Sequence, residues 1–133
     1  MGSIMDELKQ VELLNDDSRL FEKEFKNLKD FYILNSEKEL YDFIKIHPGI
    51  IILLNKFEPS LKHHFPNAFF ELEFNQDLSG NWFDLIMLNI WIDEYTFNNG
   101  SADSIRSIRN EFWDLRKRLD LLGELIISKR ILR

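Results

Sequence analysis

The sequence contains no cysteine. Disulfides, a thiol nucleophile and Cys-ligated zinc or iron–sulfur centres are thereby excluded. Three prolines and five glycines rule out collagen-like and proline-rich classes. No apolar run approaches the roughly 20 residues of a spanning helix. The longest near-apolar run, Leu85 to Ile92, is interrupted by Asn89. Residues 1–7 lack a basic region followed by an apolar core, so no signal peptide is expected. The chain is expected to be soluble, cytoplasmic and without a membrane role.

Catalytic signatures are also missing. No GxGxxG, GxxxxGK, Gly-x-Ser-x-Gly or HExxH occurs. The three histidines are His47 and the adjacent pair His63–His64. Neighbouring helical residues point about 100° apart, so one metal cannot readily take both imidazoles. No catalytic residue, metal ligand or cofactor is assigned from these patterns.

What is present is apolar and acidic. Apolar residues make up 44% and aromatics 14%, enough for one packed core and too many for a disordered chain. At 133 residues the chain is expected to form a single domain, 1–133. The formal charge is −6. Residues 101–133 hold eight cations and five acids, and the first hundred hold nine cations and 18 acids. An acidic body with a basic tail disfavours nucleic acid as a partner and suits a second copy or another protein.

Hydrophobic spacing predicts helices over 4–14, 18–32 and 36–46. Asn15-Asp16-Asp17-Ser18 offers caps for the second, and Ser36 with Glu39 reads as a capping box for the third. Residues 49–54, Gly-Ile-Ile-Ile-Leu-Leu, suit a buried strand or a helix; Pro48 favours a short helix to about Lys56, followed by another over 59–64. Residues 68–74 alternate and pair with 82–93 as an antiparallel hairpin. Ile105, Ile108, Phe112, Leu115, Leu119 and Leu122 mark one long C-terminal helix, with Gly123 as its C-cap. Residues 124–131 read as a third strand, with helical continuation as the alternative. The expected fold is α+β: N-terminal helices, an antiparallel β-hairpin or three-stranded sheet, and a long C-terminal amphipathic helix packed on it.

The strand over 82–93 is apolar on both faces, which calls for cover on both. If the helices cover only one, the other is an interaction surface. The expected function is therefore a non-catalytic interaction or regulatory module, self-associating through the aromatic strand face or the C-terminal helix. Phe83, Trp91, Phe112 and Trp113 are the candidate anchors. Two alternatives use other residues. Strand carboxylates Glu71, Glu73, Asp84 and Asp93 could serve a metal-dependent hydrolase. Arg106, Arg109, Arg116 and Lys117 form a candidate basic patch for a nucleic-acid-associated regulator.

Overall fold

The computed structural model describes residues 4–76 and 84–132. Two helices open the chain, α1 (Ile4–Asp16) and α2 (Ser18–Leu28). The break between them is capped as its sequence requires: the Asp17 carboxylate accepts from the backbone N–H of Arg19 (3.0 Å) and Leu20 (3.2 Å). Then come β1 (Ile33–Asn35), α3 (Glu37–Ile46), α4 (Gly49–His64), β2 (Phe69–Asn75) and β3 (Leu85–Ile92). Three short helices follow, α5 (Glu94–Asn98), α6 (Ser101–Glu111) and α7 (Trp113–Arg118), and β4 (Leu125–Ile131) ends the described chain.

The ambiguous 49–54 segment is the first part of α4, a single helix that passes through Pro59. Ile50 to Leu54 are all buried. A stretch of helix apolar on every side must be surrounded there, and α4 has α1, α2, α3 and α6 as neighbours. This accounts for a run that lacks amphipathic spacing. Ser36 does not form the expected capping box. It sits in the left-handed region (φ 67°) and makes no side-chain cap bond, because it turns the chain between β1 and α3.

The four strands form one sheet in the order β1-β2-β3-β4. The β2–β3 pair is antiparallel, while β1–β2 and β3–β4 are parallel. Phe70, Leu72, Ile86, Leu88, Ile90, Leu125 and Ile127 point to one face and are buried. The helices lie on that face. Phe31 stacks on Phe70 (5.0 Å), Phe43 meets Phe74 (5.7 Å), and Phe57 meets Phe112 edge-on (4.7 Å) within one continuous core. Both parallel connections thus cross the same side. The two pairs run in opposite directions and step the same way across the sheet, so one crossover has the uncommon left hand.

The expected long C-terminal amphipathic helix packed on the sheet is not seen, and the chain ends in a strand. The apolar stripe does face the core through Ile105, Ile108, Phe112 and Leu115. The helix breaks at Phe112, whose backbone (φ −104°, ψ 8°) leaves the helical well while its ring packs on Phe57. It stops after Arg118, before Gly123. Asp120 takes a left-handed conformation (φ 57°), its N–H bonds the Lys117 carbonyl (3.1 Å), and the Leu121 N–H bonds the Arg116 carbonyl (2.8 Å). That pair of bonds is a Schellman closure with aspartate where glycine is usual. Leu121 is consequently buried, and Leu122, a member of the predicted stripe, is exposed.

Tyr32 ties the end of α2 to α4. It is 2% exposed and its hydroxyl donates to the Leu54 carbonyl at 2.6 Å. Burial, helped by the nearby Glu58 charge, pushes its pKa far above the ordinary tyrosine value, so it donates at any physiological pH. Tyr32→Phe should lower stability by about 1–2 kcal/mol, read as an earlier urea midpoint with unchanged slope. An unchanged midpoint would mean that this bond contributes nothing.

Candidate functional site: the open face of the sheet

Side chains alternate across a strand, so burying one face of β2, β3 and β4 sends the other residues to the opposite face. Register aligns them in rows. Phe69 lies beside Trp91 and Arg130; Ile33 beside Glu71, Asn89 and Ser128; Asn35 beside Glu73, Met87 and Ile126. Phe69 (56%), Ile33 (53%) and Ile126 (42%) are exposed, and Leu85, Met87 and Trp91 are half-buried. This is an apolar surface with a polar centre.

The centre is a hydrogen-bonded network spanning all four strands. Asn89, 1% exposed, donates to Glu71 Oε1 (2.9 Å) and Glu73 Oε1 (3.0 Å). The Trp91 indole N–H donates to the same Glu71 oxygen (3.0 Å), and Asn35 reaches its other oxygen at 3.4 Å. Arg130 Nε donates to Asn89 Oδ1 (3.4 Å), and its guanidinium lies 4.0 Å from Glu73. Asn89 and the indole are therefore satisfied without a partner chain, which fixes their orientation in advance. Glu71 is held by neutral donors alone among these contacts.

The predicted residues fall in different places. Trp91 lies on the open face. Phe112 is 8% exposed inside the core, and Trp113 is 49% exposed on α7, with Lys117 over its ring at 5.9 Å. Phe83 lies outside the described residues. Of the strand acids, Glu71 and Glu73 meet through Asn89. Asp93 instead caps α5, accepting from the Thr96 N–H (2.7 Å), and hydrogen bonds from the Thr96 side chain and backbone lower its carboxyl pKa. Asp84 precedes β3 at its opposite end and is exposed. Among the described residues, no group of three or more His, Asp or Glu side chains is placed to hold a metal ion.

The four basic residues do not converge on one patch. Arg106 pairs with Asp103 (3.3 Å) and Lys117 with Asp114 (3.5 Å), each within its own helix. Arg109 and Arg116 reach the free edge of β4. The bonds Ile86 N–H to Glu124 carbonyl and Leu132 N–H to Ile92 carbonyl show that even-numbered backbone groups there face β3. The odd-numbered groups face outward. Arg109 donates to the Ile127 carbonyl (2.9 Å), and Arg116 to the Leu125 carbonyl as well as to that of Leu122 (3.3 Å). Burial lowers the Arg116 pKa from its ordinary value, and Arg109 adds to the shift. Two arginines thus occupy acceptors that another strand would need. Sequence reading missed this role because nothing marks which cations will meet a strand edge.

No protein-family model, no curated protein and no solved structure matches the chain. Among the described residues no helix is long and apolar enough to cross a membrane. A hollow of about 350 Å³ between α1, α2 and α4 is lined by Leu13, Leu14, Leu20, Ile51 and Ile52 together with the polar Gln10, Glu24, Asn55 and Lys56.

Arg109→Ala should unblock the Ile127 carbonyl. Concentration-dependent association through β4 should rise in sedimentation velocity, with the circular dichroism spectrum unchanged. Unchanged sedimentation would show that the edge is protected by other means.

Proposed function

We propose that this chain is a small non-catalytic interaction module that holds a second protein chain on the open face of its sheet. The observation that carries this reading is the one-sidedness of the molecule. The helices cover the Ile86–Ile92 face, and Phe69, Trp91 and Ile126 stand on the other with no helix above them among the described residues. Large apolar side chains grouped on one face, here in two rows either side of the Asn89 centre, support a binding use for it. Tryptophan and arginine, both present here, are enriched among residues that dominate binding energy. The Asn89 network supports the same reading, because satisfied polar groups at the centre of a patch can be covered without leaving orphan donors.

Other readings have less support. Arg109 and Arg116 are engaged with backbone carbonyls, which leaves little of the basic patch to meet phosphates. Glu71 and Glu73 are held by amide and indole donors rather than by a third converging acid. The C-terminal helix does not offer its apolar stripe to a partner, because Ile105, Ile108 and Leu115 are in the core. Between the two self-association surfaces read from the sequence, the strand face is the one retained.

A photoreactive phenylalanine derivative replacing Ile126 tests this directly in cells. A discrete crosslinked adduct should form there and be lost when Trp91→Ser is added. The same probe replacing Leu13 on α1 should give none. Equal adducts from both positions, or none from position 126, would contradict the reading.

A further inference from the structure

The charge of the open face says which kind of chain can cover it. Two carboxylates belong to it by strand alternation, Glu71 and Glu73 on β2. Arg130 is the one cation on this face among the described residues. The surface therefore carries a formal −1, two acids against one cation, on a molecule whose total is −6. Arg130 is already shared between Asn89 and Glu73, and the contacts that hold Glu71 come from uncharged donors. Covering these acids with apolar or acidic surface removes water from them and gives no countercharge, which is costly. A second copy would do this: it would set two carboxylates and one guanidinium against the same set.

We propose, as a refinement that rests on the docking reading above, that the partner is a basic amphipathic protein segment, with apolar side chains for Phe69, Trp91 and Ile126 and an arginine or lysine for Glu71. The exposed Phe69 ring and the half-buried Trp91 indole flank Glu71, so an entering guanidinium can stack on an aromatic face while it pairs with the carboxylate. The acidic whole-molecule charge steers such a partner toward the protein and repels nucleic acid and further copies. The partner's cation completes a network that already has its donors in place, so little ordering is needed on this side of the interface.

The probes are two synthetic fifteen-residue peptides, one alternating leucine and arginine, the other alternating leucine and glutamate. Each is titrated into the full isotope-labelled chain while the Trp91 indole N–H and Asn89 side-chain amide are followed by NMR. The arginine peptide should shift both signals and leave those of α1 and α2 in place. Its binding should weaken with added salt and fall about tenfold in the Glu71→Gln, Glu73→Gln double variant. Arg130→Gln, which removes the competing cation, should tighten it. The glutamate peptide should have no effect. Shifts confined to the helices, or unchanged affinity in both variants, would overturn the basic-partner inference. If the glutamate peptide or a second copy occupies the face instead, this inference fails and the docking reading stands. If neither peptide nor a second copy moves the Trp91 and Asn89 signals, both fail.

Discussion

Side-chain alternation in β3 decides where every other element can sit. Ile86, Leu88, Ile90 and Ile92 all point the same way and are buried. They can be dry only if a layer of helices lies over that face, and one domain of this length has helices enough for one such layer. α4 supplies the middle of that layer, with Ile50, Leu53, Leu54, Phe57 and Leu61 all fully buried. α1, α2, α3 and α6 are then arranged around α4. The same alternation sends Met87, Asn89 and Trp91 to the other face. The packed side and the open side are thus two consequences of one period-two pattern.

The open side is stable in water because its centre is polar. Asn89 is nearly inaccessible yet keeps both ends of its amide engaged, with two glutamates as acceptors and an arginine as donor. A ladder of this kind across β2, β3 and β4 also fixes strand register. Sliding any strand by one residue would move the network into the core and the isoleucines into solvent. The free edge is handled separately. β1 has three residues and offers little to pair with, and β4 has two of its outward carbonyls taken by Arg109 and Arg116. Both edges are thus poorly suited to pairing with another strand.

Much of this was legible in the residues. The break at Asp17, the stop at His47-Pro48 and the antiparallel β2–β3 pair follow from caps, proline sterics or alternation, whereas residues 124–131 left strand and helix both open and form a strand. What could not be read had specific causes. β1 is three residues long and gains its strand character only by pairing with β2, so no local pattern announces it. The start of α4, residues 50–54, is apolar all round and carries no helical period to distinguish it from a strand. The C-terminal stripe keeps its spacing through Leu115, but spacing does not register a break at Phe112 or an aspartate in a left-handed closing turn. Trp91 could be singled out as a surface aromatic. Its bond to Glu71, and the cooperation of Asn89 with both glutamates, depend on cross-strand register that the sequence does not print.

Among the described residues, one face of the sheet has no helix over it. Paramagnetic relaxation by an inert soluble gadolinium chelate measures this on the free protein at low concentration, residue by residue. The methyl groups of Met87 and Ile126 should relax strongly, while those of Ile86, Leu88 and Ile127, in the same strands, should be nearly unaffected. Equal protection of both sets would mean that the second face is covered from within, and the account of this protein as a one-sided docking module would be wrong.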